Sequence, residues 1–153
     1  MLDSATRSKI VDELFDVYET RRPLRRLTGT YPGLTVEDSY LVQEEFVRRK
    51  VDAGAKVKGY KVGLTSKPMQ EMAGSSEPDF SAITDDMFLP EATPIDASRF
   101  FRPMIEIEIA FVMKHALKGP GVLPVDVIRA TDFVVPAIEI VDFRVMPEPG
   151  FGI

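Results

Sequence analysis

The sequence predicts an α+β fold in which helices near the N-terminus precede strands mixed with short helices. Apolar residues recur at helical spacing through the first 55 residues and alternate as on a strand after residue 59. Two longer apolar runs, at residues 102–113 and 133–143, are typical of strands. Because these strands do not alternate regularly with long helices, a parallel βαβ sheet is not favoured. The sequence also contains no glycine-rich phosphate-binding motif.

Composition and charge narrow the class of protein. The 153 residues, 44% hydrophobic and 28% charged, are enough for one domain with a core. The net charge of −5 argues against nucleic acid as a partner. The absence of cysteine excludes disulfides, thiolate zinc sites and a cysteine nucleophile. No run has the apolar length of a signal peptide or membrane span, so we expect a cytoplasmic protein with no membrane partner.

The N-terminal third predicts two helices. The first covers residues 8–22, where one apolar face recurs at helical spacing. Thr35 and Asp38 form a candidate capping box that opens the second helix, and Gly54 is placed to end it. We expect residues 1–55 to be a helical segment that forms one structural unit with residues 56–153.

The rest of the chain predicts shorter elements. A strand is predicted near residues 59–65. A short helix follows it, with Ser66 and Pro68 in the first turn. Residues 75–88, rich in Ser, Asp and Pro, are predicted to be a loop. The two long apolar strands follow, separated by a turn and a short helix over residues 125–131. The Pro- and Gly-rich tail, residues 146–153, carries no structural signal.

Three glutamates interrupt the two apolar strands. Glu106 and Glu108 are two residues apart and therefore share a strand face, and Glu139 lies between isoleucines in the second strand. Antiparallel strands with one solvated face would show the same alternation. However, both strands carry apolar residues on both sides, as interior strands do, and no Lys or Arg alternates with the glutamates. Three carboxylates are also a ligand set for Mg²⁺ or Mn²⁺.

Lys61 is a second candidate for chemistry. It lies between Gly59 and Gly63, small residues that allow a ligand or another backbone to approach. A desolvated lysine beside a metal could exchange protons with a substrate near neutral pH. A surface lysine on an edge strand is the alternative. The single histidine, His115, is adjacent to a turn and is expected at the surface.

Four segments carry a family resemblance. They are GYKVGLTSKPMQ, EPDFSAITDDMF, RPMIEIEIAFVM and ATDFVVPAIEIVDFRV. In order and spacing, from about residue 31 to 144, the chain resembles the hydratase/decarboxylase family of the fumarylacetoacetate hydrolase superfamily. The resemblance implies N-terminal helices followed by a mixed β-roll, a homo-oligomer, and a Mg²⁺ cofactor, with Mn²⁺ as an alternative.

The resemblance also implies site residues. The family's metal-binding carboxylates fall on Glu106, Glu108 and Glu139. Its active-site lysine falls on Lys61, and its acidic loop residue on Asp79. The stretch Leu64, Thr65 and Ser66 matches a segment that lies over the substrate pocket.

The reaction implied for this family is metal-assisted chemistry on a small 2-oxo acid. The first expectation is a hydratase that adds water to a 2-oxo-alkenoate or 2-hydroxydienoate such as 2-oxo-hept-4-ene-1,7-dioate. The alternative is decarboxylation of 2-oxo-3-hexenedioate (4-oxalocrotonate). A hydrolase of C–C bonds in β-diketo acids would need a water-activating base, for which His115 is a poor candidate.

The chain departs from the family pattern in three respects. Met104 stands where the family has arginine, and Ser81 where it has glycine. Family members also run further, so we expect a β-roll that is incomplete at the C-terminus. A catalytically inactive, truncated fragment is therefore a further alternative, and a partial roll would leave strand edges and apolar faces uncovered.

Overall fold

The computed structural model describes residues 1–146, which form two compact units. The first contains Met1–Arg99 and residues 144–146, and the second contains Phe100–Phe143. The division expected from the sequence, at residues 55 and 56, stays a prediction. The expectation for the Pro- and Gly-rich tail falls on residues 147–153, outside the described part of the chain.

The first unit contains the three predicted helices and one further helical turn, over residues 27–30, that was not predicted. Their bounds are α1 Ser4–Thr20, α2 Leu27–Thr30, α3 Val36–Asp52 and α4 Lys67–Ala73. The capping box is present: the Thr35 hydroxyl accepts a hydrogen bond from the Asp38 amide at 3.1 Å, and the Asp38 carboxylate accepts one from the Thr35 amide. Gly54 has φ +107° just beyond α3, a conformation that favours glycine.

The core of the first unit lies between α1 and α3. Ile10 and Val11 of α1 are fully buried against Val42 of α3 and Tyr31 of the connection. The rings of Phe15 and Phe46 stack with centroids 4.5 Å apart. Burial of these faces stabilises the pair of helices, at about 25 cal/mol for each Å² of apolar surface removed from water.

The first unit also contains a hairpin of β1, Val57–Gly63, and β2, Asp79–Thr84, paired antiparallel. The prediction of a loop over residues 75–88 is therefore wrong for its central part. Asp and Ser disfavour strands in isolation, but here they pair with the small and polar positions of β1, so tertiary pairing overrides propensity. A 3₁₀ turn, Asp85–Met87, follows β2.

The second unit confirms the two long strands and the short helix between them. β3 covers Met104–Met113, α5 covers Pro124–Ala130 and β4 covers Thr131–Val141, with β3 and β4 paired antiparallel. Together with the first unit this confirms an α+β fold of helices and antiparallel sheets.

The burial expected for β3 and β4 is not observed. Side chains on the isoleucine face are exposed, with Ile107 at 88% and Ile138 at 73%. The expectation that these are interior strands is therefore wrong for the described residues, because two paired strands alone bury little of either face.

Among residues 1–146, no helix combines the length and the apolar character needed to span a bilayer.

Candidate metal centre and active site

The second unit brings the three predicted glutamates together. Glu106 of β3 lies directly opposite Glu139 of β4, and Glu108 is two residues further along the same face. One carboxylate oxygen from each side chain lies within 4.8 Å of the others. The proximity follows from strand register, since opposite residues of an antiparallel pair project to the same side.

The donor chemistry of this cluster fits a hard divalent cation. Glu108 and Glu139 are half-buried and Glu106 is exposed. Like charges at this separation repel, and a divalent cation would offset that repulsion. Carboxylate oxygens are the preferred protein ligands of Mg²⁺, which commonly keeps other positions for water or substrate oxygens. The residues present therefore fit the predicted metal.

The first unit places Lys61 and Asp79 on one face of its hairpin. Lys61 pairs with Ser81, and Gly63 pairs with Asp79, so the four positions share a face. Lys61 and Asp79 are consequently diagonal neighbours across the strands. The face is less exposed than the other: Lys61 is half-buried, whereas the adjacent Tyr60 is 68% exposed. Lys61 therefore lies on the more buried face of this strand pair.

Gly63 makes room for the Asp79 carboxylate. A Cβ atom built on Gly63 would lie 2.3 Å from Asp79 Oδ1, far inside contact distance. A Cβ at Gly59, by contrast, would meet nothing within 4 Å. Glycine at position 63 is therefore required by the position of a candidate catalytic side chain.

The predicted substrate-binding stretch forms a turn between β1 and α4. Leu64 has φ +52°, an unfavourable conformation for a residue with a side chain. The Gln70 side-chain amide donates to the Leu64 carbonyl at 2.8 Å and accepts from Lys67 Nζ at 2.9 Å. Ser66 Oγ accepts from the Met69 amide and caps α4. Gln70 is only 4% exposed, so the turn is held by hydrogen bonds to a buried side chain.

The candidate residues thus form two sets. The three glutamates belong to the second unit, whereas Lys61, Asp79 and the Leu64–Ser66 stretch belong to the first. Sequence reasoning missed Gln70 and the role of Gly63. No local pattern of residue types marks Gln70, because its partner is the Leu64 carbonyl, which lies outside α4.

The curated proteins with sequences similar to this chain include two hydratases. The chain is 44% identical over 144 residues to 2-oxo-hept-4-ene-1,7-dioate hydratase of Escherichia coli, covering 94% of this chain and 54% of that protein. It is 40% identical over 134 residues to 2-hydroxyhexa-2,4-dienoate hydratase of Comamonas testosteroni, covering 86% and 51%. The chain therefore spans about half the length of these curated relatives. No family model matches it.

A solved structure has a similar fold. It is the 4-oxalocrotonate decarboxylase of Pseudomonas putida G7, complexed with magnesium and adipate. The TM-score is 0.89 at 32% sequence identity, and the match covers 95% of this chain and 55% of that one.

Proposed function

Since this chain belongs to the hydratase/decarboxylase family, we propose that it carries metal-binding and proton-transfer residues of a Mg²⁺-dependent hydro-lyase. The proposed substrate is a 2-oxo-alkenoate or 2-hydroxydienoate such as 2-oxo-hept-4-ene-1,7-dioate. The observation that carries the proposal is the convergence of three glutamate oxygens within 4.8 Å. The identity to two hydratases supports the reaction type.

In this proposal Glu106, Glu108 and Glu139 hold the divalent ion. When bound, the ion would supply Lewis acidity toward the carboxylate and 2-oxo oxygens of the substrate. The solved decarboxylase complexed with magnesium supports Mg²⁺, and the oxygen-only ligand set is also compatible with Mn²⁺.

Lys61 and Asp79 are the proposed proton-transfer residues. Lys61 Nζ would give or take the proton that moves as a dienol becomes a ketone, and Asp79 would orient that ammonium or share its proton. Their positions on one face of the hairpin support a joint role. Leu64, Thr65 and Ser66 would contact the substrate from the turn that Gln70 anchors.

The wider architecture is proposed from the same family membership. It comprises a β-roll of the fumarylacetoacetate hydrolase type, incomplete in this chain, with residues 1–55 as its helical segment. It also includes assembly as a homo-oligomer in the cytoplasm.

The second candidate function is decarboxylation of 2-oxo-3-hexenedioate. It is favoured by the structural similarity to 4-oxalocrotonate decarboxylase and by 41% identity to the enzyme of that name in Pseudomonas sp. strain CF600. The same electron-withdrawing arrangement would accept the electrons released when a carboxylate leaves.

A metal-dependent thermal shift tests the site. At a Mg²⁺ or Mn²⁺ concentration 100 times the Kd, binding should stabilise the chain by about 2.7 kcal/mol. Glu106→Gln should abolish most of this shift, whereas Asp132→Asn, an exposed acid in the same strand pair, should retain it. Equal shifts in the two variants, or none in the wild type, would contradict the metal site.

Two assays on the metal-loaded protein then separate the reactions. Loss of 2-hydroxydienoate absorbance without release of carbon dioxide identifies a hydratase. Carbon dioxide release from 2-oxo-3-hexenedioate identifies a decarboxylase. Metal binding without either reaction would identify the inactive fragment.

A further inference from the structure

The glutamate cluster depends on strand register, yet the apolar pattern of these strands defines that register weakly. β3 reads Ile-Glu-Ile-Glu-Ile and β4 contains Ile-Glu-Ile, so apolar and acidic positions alternate on both strands. A slip of one residue would reverse the faces and is strongly disfavoured. A slip of two residues would keep each side chain on the same face of the sheet. It would also keep each residue in the same type of pair, hydrogen-bonded or non-hydrogen-bonded.

A two-residue slip would change the cluster. In the observed register Glu106 faces Glu139, and Ile107 faces Ile138. Moving β4 by two residues would place Glu108 opposite Glu139 and Ile109 opposite Ile138. A feature outside the alternating pattern is therefore needed to fix which glutamate faces which.

Asp142 provides such a feature at the end of the ladder. Its carboxylate accepts hydrogen bonds from the Phe101 amide at 2.9 and 3.0 Å and from the Arg102 amide at 2.7 Å. These donors precede β3, and Asp142 follows Val141, the residue of β4 that pairs with Met104. The contacts join positions 40 and 41 residues apart in the chain.

The geometry makes the contact specific for one register. A carboxylate is a short side chain, and a two-residue slip would move it by about 7 Å along the strand, beyond hydrogen-bond distance of both amides. Hydrogen bonds to a charged acceptor are stronger than neutral ones, so losing two of them disfavours the slipped pairing.

We propose that Asp142 is a positioning residue that sets the β3–β4 register and so assembles the glutamate cluster. The metal-binding consequence rests on the proposed function, whereas the effect on register does not. Asp142 itself needs no contact with the ion for this role.

Paired cysteines measure the register directly, because the chain has no cysteine of its own. Ile107→Cys with Ile138→Cys reports the observed pairing, and Ile109→Cys with Ile138→Cys reports the slipped one. All three positions are exposed, so the changes disturb little packing. In the full chain under a glutathione redox buffer, we expect the first pair to form the disulfide in higher yield.

Adding Asp142→Ala should raise the relative yield of the slipped pair about twofold or more, since the pairing loses the contact that selects its register. Asp142→Asn, which keeps one acceptor oxygen, should fall between this variant and the wild type. The matched control is Asp126→Ala: Asp126 is also half-buried and accepts from a backbone amide, that of Leu123 at 2.9 Å, at the start of α5.

Mn²⁺ affinity, followed by electron paramagnetic resonance without the added cysteines, gives the second measurement. Asp142→Ala should raise the Kd about tenfold, in the range seen for residues that orient metal ligands, whereas Asp126→Ala should leave it unchanged. Unchanged cross-linking in Asp142→Ala, or an equal change in Asp126→Ala, would overturn the inference. If the wild type binds no Mn²⁺ but cross-linking responds to Asp142, the metal proposal fails and the positioning role stands.

Discussion

A substitution at Gly63 tests how the Asp79 carboxylate is placed. Alanine at this position would place a Cβ atom 2.3 Å from Asp79 Oδ1, so the Asp79 side chain must rotate away. Because the obstructed atom is the end of a side chain, we expect the free energy of unfolding to fall by only about 1 kcal/mol. The Asp79 carboxylate, in contrast, should leave its place beside residue 63.

The measurement for Gly63→Ala is the carboxyl ¹³C signal of Asp79 by NMR, together with hydratase activity if the wild type has it. We expect a shifted Asp79 signal and activity reduced at least about tenfold, as when a catalytic group is misplaced. Gly59→Ala is the matched control, since its Cβ would meet nothing within 4 Å. An Asp79 signal that is identical in the two variants would contradict the steric argument.

Tyr31 gives a prediction about alkaline stability. Burial raises the pKa of Tyr31 to about 12, and its hydrogen bond to Glu13 adds to the shift. The hydroxyl donates to Glu13 Oε1 at 2.6 Å. The pKa of Tyr31 in the folded chain therefore lies above its unfolded value near 10. The stability that the protonated hydroxyl adds to the fold is fully present below about pH 10 and is lost as the pH rises through about 12.

Urea unfolding of the wild type and Tyr31→Phe tests this dependence. Near pH 8 the variant should be less stable by about 1 kcal/mol, the typical net contribution of one hydrogen bond. Between pH 10 and 12 the wild type should lose stability faster than the variant, so the difference narrows. Tyr18, Tyr40 and Tyr60 are common to both chains and do not affect the comparison. A constant difference up to pH 12 would contradict the role of Tyr31.

The residues predicted from sequence are those whose placement follows from local periodicity. Glu106 and Glu108 share a strand face by their spacing alone, and a charge between isoleucines marked Glu139. Gln70 and Asp142 were not predicted, because their roles depend on backbone groups that meet them only in the folded chain. No pattern of residue types encodes such a contact.

The N-terminus of α3 is built around one buried carboxylate. Asp38 is fully buried and accepts hydrogen bonds from the amides of Leu2 and Thr35, in addition to its ion pair with Arg7. Burial alone would raise its pKa, but the hydrogen bonds from Leu2 and Thr35 outweigh burial and lower it. The side chain therefore joins the start of the chain to the start of α3.

Asp38→Asn should weaken this junction. We expect a Tm lower by several degrees at pH 7, because the neutral amide loses the charge that Arg7 and the helix terminus favour. A carboxyl group with a lowered pKa stabilises the fold above its unfolded pKa of about 3.8, and this contribution is lost as the pH falls below that value. As the pH falls below that value, the difference in Tm between the wild type and the variant should therefore narrow.

Thermal unfolding at pH 7, 4 and 2.5 measures the effect. Glu44→Gln is the control, since Glu44 is an exposed acid on the same helix. Its Tm should stay within about 2 °C of the wild type, as surface substitutions usually do. A difference in Tm between wild type and Asp38→Asn that does not narrow between pH 7 and pH 2.5 would indicate that packing, and not the charge, is what α3 requires.

The elements show where prediction from sequence succeeds. Helix α3 was located because its capping box and its terminal glycine are local signals. Strand β2 was missed because Asp79 and Ser81 have low strand propensity and are held by pairing with β1. A short stretch of sequence does not show which distant residues it will pair with in a sheet.

The strands of the second unit carry exposed apolar surface. Ile105, Ile107, Ile109 and Ile138 are between 63% and 88% exposed and lie on one face of β3 and β4. Neighbouring exposed isoleucines on a sheet favour association with other apolar surfaces. We therefore expect this face to favour self-association of the chain.

Ile107→Thr with Ile138→Thr tests this property. The two side chains are opposite each other, and threonine retains strand propensity while removing apolar surface. We expect lower binding of an apolar fluorescent dye and a lower apparent mass by light scattering at equal concentration. Val36→Thr is the control, because Val36 is 64% exposed but belongs to α3 and not to β3 or β4. If the double variant and Val36→Thr both associate to the same extent as the wild type, the isoleucine face does not drive association. The expected oligomer must then form through another surface.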